Sequence, residues 1–468
     1  MEENTERRLL TGNLCGVLLR IAMVIGIGAV TLGISPRVSA EILHLETAVE
    51  AAQANDPWLV ESQYSQGAVE ARSIAAGTLP DPILSMGLAN FPTDTFEIDQ
   101  EPMTQVKVGV TQMFPRGETL SIKRKRLQTQ GQIYPYERAT RRADTVVVVS
   151  KLWFDAYKAR ESIRLIERDR PLFEQLGEVA EAGYSSALGK TSQQDLIRAQ
   201  LELVRLDDRV TGLRQKQETL LERLAEWVST NFAAKYQSAA EVAPDVGADL
   251  ELPEEMPRLG MLKEDLYTSK DKVDPQMLYS YFADHPAVLA VEQKIKVSDL
   301  GIDLARQSYK PQWGVNASYG YRADPSTGDR PDFLSVGLSL DLPFFTKNRQ
   351  DKELQAAISQ AQAVKTNKWS LIRRMIAGFE KNKAQLRNLN QRQQLYQQQL
   401  LPQMHEQSEA SLTAYTNDVG DFAEVVRARI AELNAHLEAL DINVERQKIL
   451  LDLNYYFMER AEDIISGI

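Results

Sequence analysis

PQWGVNASYGYR, residues 311–322, is the stretch on which the reading of the whole chain turns. Trp313, Val315, Ala317, Tyr319 and Tyr321 share one parity; Gln312, Gly314, Asn316, Ser318, Gly320 and Arg322 share the other. Successive side chains of a strand point to opposite faces, so this is a strand with an apolar, aromatic face and a small, polar one. Three more segments alternate in the same way. Around 83–91, Leu84, Met86 and Leu88 share a face; in 104–114, Val106, Val108 and Val110 oppose Lys107, Gly109 and Thr111. In 333–342, Leu334, Val336, Leu338, Leu340 and Leu342 oppose Phe333, Ser335, Gly337, Ser339 and Asp341. The stretches between paired strands, FPTDTFEIDQEP and ADPSTGDRPD, are acidic and turn-rich, as exposed loops are.

The same order of elements is written twice. Pro57 and Pro286, Pro82 and Pro311, Gly109 and Gly337, Pro115 and Pro343, Pro171 and Pro402, Tyr184 and Tyr415, and Gly189 and Gly420 all stand about 230 residues apart, the signature of an internal duplication. Each repeat reads as a helix running to a proline, two strands, a long helical tract, a Tyr…Gly turn and a second long helix. Repeat one spans 41–230 and repeat two 275–468, with helical tips near 184–191 and 415–422. Residues 231–274, with PDVGADLELPEEMP inside them, are acidic, proline-rich and unrepeated, and read as a linker or equatorial insertion.

Heptads mark the helices after the turns. Leu196, Leu203, Val210 and Leu224 lie on one lattice, and Ala199, Leu206, Leu213, Leu220 and Trp227 on another. Ile430, Leu437, Val444 and Leu451, with Leu433 and Leu440, form the seam of repeat two. Apolar seams sustained this long point to coiled-coil packing. The tract from Pro115 to Tyr184 would reach roughly 100 Å as one helix, and Pro135 and Pro171 are expected to kink or break it.

The 468 residues are 43% hydrophobic and 25% charged, with a net charge of −11, which argues against a nucleic-acid partner. Arg7, Arg8 and Arg20 precede the apolar run IAMVIGIGAVTLGI, and small residues close it at Val38-Ser39-Ala40. This predicts a secretory signal peptide over 1–40 and a mature start near Glu41; a single membrane anchor is the alternative, disfavoured because the run is short. Cys15, the sole cysteine, lies ahead of the apolar run, so the mature chain would carry no disulfide or thiol chemistry. No later stretch is long and apolar enough for a helical span.

Four strands of this kind cannot close a barrel alone, and an open sheet would leave unpaired edges that lipid forbids. Three copies would supply twelve strands and a closed barrel. Trp313, Val315, Tyr319, Tyr321, Val336 and Leu338 would then face lipid, with Asn316, Ser318 and Arg322 facing the pore and Trp313, Tyr319, Tyr321, Phe91 and Phe333 towards the rims. An ordinary water-soluble sheet packed on the helices satisfies the same alternation.

In this order the motifs resemble the TolC-like outer-membrane efflux family over essentially the whole mature chain. The likeness rests on the duplicated layout, the ANDP and ADHP starts, the LPDP entry to the first strand, the strand ends VGVTQMFP and VGLSLDLPFF, and the turns YSSALG and YTNDVG. It implies a mainly α fold with a small β part and a homotrimer whose twelve-stranded outer-membrane barrel continues as a twelve-helix coiled-coil tunnel in the periplasm. It also implies a passive duct served by a periplasmic adaptor and an inner-membrane pump, of the RND type. Tyr184, Gly189, Lys190 and Thr191, and Tyr415, Gly420, Asp421 and Phe422, become the adaptor-facing tips, the two glycines taking the left-handed backbone that reverses the chain. Glu424 matches the first of two aspartates that the family often places at its periplasmic entrance, whereas Arg427 stands in place of the second. A ring of Glu424 would favour cations, and a Glu424–Arg427 salt bridge would close the entrance instead. The stretch NFPTDTFEIDQEPMTQVKVGVTQMFPRG is similar to members paired with heavy-metal pumps, which makes metal cations the expected cargo. Met86, Met103 and Met113 supply soft sulfur nearby, although apolar filling accounts for them as well.

Other chemistry finds no support. GYSSALGKT (183–191) places five residues where a phosphate-binding loop needs four, and no strand precedes it. His44, His285, His405 and His436 show no ligand spacing, and no nucleophile elbow or HExxH occurs. Neither an enzyme nor a cofactor is expected. The competing reading is a periplasmic coiled-coil adaptor, which would show one hairpin flanked by lipoyl-like β segments rather than two hairpins and two strand pairs.

Overall fold

The computed structural model describes residues 42–185, 192–228, 250–325, 328–417 and 419–466. The expected signal peptide, Gly189, Lys190 and Thr191 of the first tip, and 231–249 of the insertion lie outside these residues.

Both repeats start in the same way. Helix α1 (Leu45–Ala54) leads to α2 (Pro57–Ala76), where the Asp56 carboxylate accepts from the Trp58 amide at 3.0 Å and Pro57 fills the first position. In repeat two, after the short α6 (Glu264–Thr268), α7 (Pro275–Ala283) leads to α8 (Pro286–Gln307); Asp274 caps the first and His285 Nδ1 accepts from the Ala287 amide at 3.2 Å to cap the second. Strands β1 (Ile83–Ala89) and β2 (Gln105–Phe114) follow α2, and β3 (Gln312–Tyr321) and β4 (Phe333–Asp341) follow α8. They form one antiparallel sheet in the order β1-β2-β3-β4.

The long tracts come next. In repeat one, α3 (Thr119–Gly131) and α4 (Ile133–Ser185) are followed by α5 (Gln193–Val228). In repeat two, α9 (Gln350–Leu395) passes through a π-turn, Tyr396–Leu400, into α10 (Leu401–Thr416), and α11 (Phe422–Tyr455) returns. The expected proline breaks need correcting. The chain interrupts at Gln132, and Pro135 falls in the first turn of α4, where its missing amide has no partner to lose. Pro171 sits inside α4 without ending it. Its counterpart Pro402 follows directly on the π-turn, a wider turn that accommodates the lost hydrogen bond.

Burial follows the heptads. Ala199, Leu206, Val210, Leu220 and Leu224 form the buried face of α5. Leu206 and Val210 pack with Ile163, Ile166 and Phe173 of α4 and with Leu433 and Leu437 of α11, so the two hairpins share one seam. A larger core surrounds Trp153, Phe154, Tyr267, Phe282 and Phe379. The insertion, where described, is not a free linker. Leu43 donates its amide to Glu251 O at 2.7 Å, Tyr157 Oη donates to Glu254 O at 3.0 Å, and Tyr267 is buried. Asn454, fully buried on α11, holds this belt down. Its Oδ1 accepts from the Leu262 amide (3.2 Å) and Tyr267 Oη (3.1 Å), and its Nδ2 donates to Gly260 O (3.0 Å) and Ile464 O (2.9 Å).

Candidate functional site

The register of the sheet gathers its side chains onto two chemically distinct faces. Val110 pairs with Leu84 and Ala317, Val108 with Met86 and Tyr319, and Val106 with Leu88 and Tyr321. Across the next strand, Tyr319 pairs with Leu334, Ala317 with Val336, Val315 with Leu338 and Trp313 with Leu340. Opposite residues point the same way, so one face is apolar across all four strands apart from Gln112. It is also bare: Leu334 is 76% exposed, Met86 74% and Val336 72%, and Trp313, Val315, Tyr319, Tyr321 and Leu338 are exposed too. No helix among the described residues forms a packed layer on the sheet, so the alternative of a sheet packed on the helices does not describe this fold. A contiguous exposed apolar face of this kind marks a surface for a partner or a membrane.

The other face is small and polar. It carries Ser85, Gly109, Thr111, Gly314, Asn316, Ser318, Gly320, Ser335, Gly337 and Ser339. At two of its glycines a neighbour stands close. A Cβ on Gly109 would lie 3.0 Å from Ser85 Oγ and 3.2 Å from Ser318 Cβ, and one on Gly314 would lie 2.9 Å from Ser339 Oγ. Ser85, Ser318 and Ser339 therefore stand close to the backbone of the neighbouring strands on this face. Phe333, expected among the rim aromatics, belongs to this polar face, where the Arg322 guanidinium stacks on its ring at 4.0 Å. Both edges, β1 and β4, lack a strand partner among the described residues.

Aromatic rings bound the apolar face at both ends. At the end joined to the helices, Trp313 stacks on Phe114 with centroids 4.1 Å apart, and Phe344 and Phe345 follow just beyond β4, Phe345 being 95% exposed. At the loop end stand Tyr319 and Tyr321. Eight residue steps separate Trp313 from Tyr321, about 26 Å along the strand, or about 20 Å at a barrel tilt near 40°. With Phe344 and Phe345 added, the span approaches the roughly 25 Å apolar band of membrane barrels.

The second helical tip is described at residues 415–417 and 419–422. Asp421 accepts from the Ala423 amide at 3.1 Å, capping α11, and the Val419 and Gly420 amides both donate to Ala414 O. Gly420 corrects an expectation: its backbone is not left-handed. Glycine is needed because a Cβ would lie 2.7 Å from Tyr415 N and 2.9 Å from Ala414 C. Phe422 is 2% exposed and packs edge-on against Tyr415, so it braces the tip from within rather than presenting itself to a partner. Val419, 83% exposed, is the apolar side chain offered at this tip, and no sequence pattern marks it. Tyr184, half exposed, lies in the last turn of α4.

Glu424 and Arg427 lie one turn above that tip on α11. Arg427 Nη2 is 3.0 Å from Glu424 Oε2, and both side chains are largely solvated. The pair closes within one helix, three residues apart. A more buried network lies further up, where Arg429 bridges Glu409 (2.6 Å) and Glu432 (3.1 Å) and His405 Nδ1 meets Glu432 Oε1 at 2.7 Å. Burial pushes the Glu432 carboxyl up, but its hydrogen bonds and the Arg429 charge outweigh this and hold it below the ordinary carboxylate range.

The methionines do not converge. Met86 sits on the apolar face, Met113 on the opposite one, and Met103 in the loop between β1 and β2. Among the described residues no group of His, Cys, Asp and Glu could hold a metal ion, and no helix is long and apolar enough to cross a membrane.

Comparison with known proteins fits this geometry. Residues 277–455, most of repeat two, match the family described as Outer membrane efflux protein. The fold is similar to that of CusC, with a TM-score of 0.69 at 14% identity over 88% of this chain and 91% of that one. It is similar also to the outer membrane channel CmeC of Campylobacter jejuni (0.68, 11%, 88% and 85%) and to the outer membrane protein VceC of Vibrio cholerae (0.66, 14%, 88% and 95%). Proteins with curated descriptions yield no sequence match. The chain therefore resembles these outer-membrane channels in fold across both repeats. Its second repeat carries the outer membrane efflux protein domain.

Proposed function

We propose that this chain is the outer-membrane exit duct of a tripartite efflux system, a homotrimer that passively conducts what an inner-membrane pump of the RND type delivers through a periplasmic adaptor. One observation carries the proposal: a four-stranded sheet with a bare apolar face, a crowded polar face and two open edges. Three such sheets joined edge to edge make twelve strands, bury every edge and turn the apolar face to lipid. The helical hairpins then continue from the barrel as a tunnel, with Tyr184 and the 415–422 turn at its far end towards the adaptor. The signal-like segment 1–40 supports export, with a mature start near Glu41. An adaptor is disfavoured, because two hairpins share a sheet that has no use in water.

Membrane fractionation with unboiled and boiled electrophoresis tests this. The duct reading expects a heat-dissociable trimer in the outer membrane that forms conducting pores in planar bilayers; a soluble periplasmic monomer would overturn it. Heavy-metal cations are the cargo we put forward within that reading, supported by the likeness of residues 90–117 to members paired with heavy-metal pumps. A deletion strain challenged with metals, dyes and drugs tests the cargo separately, and sensitivity to dyes and drugs without sensitivity to metals would reject it.

A further inference from the structure

The two ends of the sheet differ in charge. The loop after β1 carries Asp94, Glu97, Asp99 and Glu101 and no cation. At the helical end, α3 starts five residues after β2 and carries Lys123, Arg124, Lys125 and Arg126 in succession. All four are exposed, and none makes an ion pair among the described residues, in a chain whose net charge is −11. Several cations elsewhere are paired, such as Lys158 with Asp441, Arg170 with Asp207, Lys368 with Glu292 and Lys448 with Asp155, but none of them stands in a run of four. At the same end of the sheet, Phe344 and Phe345 follow β4, with Lys347 exposed two residues on.

Three features of geometry aim these groups at one layer. Arg116 ties the ends of the strands together, donating to Lys310 O at 2.6 Å and pairing with Asp341, so α3 is anchored directly beneath the sheet. Lys123 lies four residues into α3, about 6 Å along its axis, and the headgroup layer of a bilayer is roughly 5–8 Å thick. Side chains on a helix lean towards its N-terminus, which for α3 is the sheet end, and long cationic side chains reach back further by snorkelling.

We propose that the helical end of the sheet is a binding surface for anionic phospholipid headgroups. Phe344 and Phe345 sit in the interfacial layer, and Lys123, Arg124, Lys125, Arg126 and Lys347 engage the lipid phosphates. The inference rests on the barrel reading and adds the lipid class and the residues that select it.

The test uses the full chain, wild type and the variant K123Q/R124Q/K125Q/R126Q. Each is reconstituted into phosphatidylcholine vesicles with and without one-third phosphatidylglycerol, and the temperature at which the trimer dissociates is recorded. Insertion into pure phosphatidylcholine tests the barrel reading on its own and is expected of both proteins. Phosphatidylglycerol should raise the wild-type dissociation temperature by several degrees, an effect that fades with salt and is mostly lost in the variant. A lysine/arginine exchange, K123R/R124K/K125R/R126K, should restore it, which excludes a purely structural defect. Equal responses of wild type and the glutamine variant, or a wild type indifferent to phosphatidylglycerol, would overturn the proposal while leaving the barrel reading standing. Failure of the wild type to insert at all would count against the barrel reading and the proposal together.

Discussion

Val336 and Ser335 are neighbours on β4, both exposed, on opposite faces of the sheet. Val336 pairs with Ala317 near the middle of the apolar face, and Ser335 pairs with Ser318 on the polar one. Neither side chain is part of a packed core, so Val336→Arg and Ser335→Arg should leave the helices folded alike. They should differ sharply in assembly. An arginine on the lipid face near the bilayer midplane costs roughly 2–4 kcal/mol, which over three protomers is about 6–12 kcal/mol per trimer. A tenfold change in equilibrium takes only about 1.4 kcal/mol, so trimer yield for Val336→Arg should fall by orders of magnitude. Ser335→Arg, which the proposed duct turns towards an aqueous lumen, should stay within a few-fold of wild type. The assay is the amount of heat-dissociable trimer in purified outer membranes at matched expression. Equal yields for the two variants would refute the assignment of faces, and Val315→Arg against Asn316→Arg repeats the comparison on β3.

Other consequences are open to direct measurement. Asn454→Ala removes four hydrogen bonds, two of them buried, and leaves their partners unsatisfied, and should cost about 3–5 kcal/mol, read as a lower unfolding temperature and faster proteolysis near 250–274. His285 is buried and held neutral, its pKa pushed down to about 4 chiefly by burial. The unfolded chain therefore binds the extra proton first: the stabilisation is complete above about pH 6.5, declines as pH falls towards 4, and amounts to roughly 3 kcal/mol over that window. His285→Asn keeps a capping acceptor and should flatten this part of the pH–stability curve. Gly420→Ala forces a methyl onto the Tyr415 amide and should loosen the tip by about 1–3 kcal/mol, seen as faster amide exchange there, whereas Gly67→Ala, with nothing within 4 Å, should be neutral or mildly stabilising. Glu424→Gln breaks a solvated ion pair and should change stability by less than about 0.5 kcal/mol, but should lower cation preference in single-channel recordings if a ring of Glu424 lines the entrance.

The strands were legible because period-two alternation is a strong signal when one face is uniformly apolar: β3 was expected at 312–322 and runs Gln312–Tyr321, and β4 at 333–342 runs Phe333–Asp341. The heptads of α5 and α11 were legible for the corresponding reason at helical spacing. What escaped was local packing. Gly420 reads as a left-handed turn glycine, yet the close approach of Ala414 and Tyr415 is what requires it, and close approach has no one-dimensional signature. Phe422 reads as a tip aromatic available to a partner, but Tyr415 and the hairpin bury it, leaving Val419 outermost. Prolines mislead similarly, since Pro135 lies where a helix tolerates it and Pro402 follows a π-turn that no residue pattern announces. The insertion reads as a linker because its composition is acidic and proline-rich, whereas its fixing point, Asn454, is some two hundred residues away in sequence.

The central claim is that β1 of one protomer pairs with β4 of the next. Cys15 is the sole cysteine and lies in the expected signal peptide, so introduced cysteines report cleanly. Single cysteines at Leu84, Met86 and Leu88 are each combined with one at Leu334, Val336 or Leu338, and oxidised in intact outer membranes. One register of these pairs should give a reducible ladder of linked dimers and closed trimers. A linked species that remains monomeric for every pair, or no linkage in any register, would contradict the trimeric barrel.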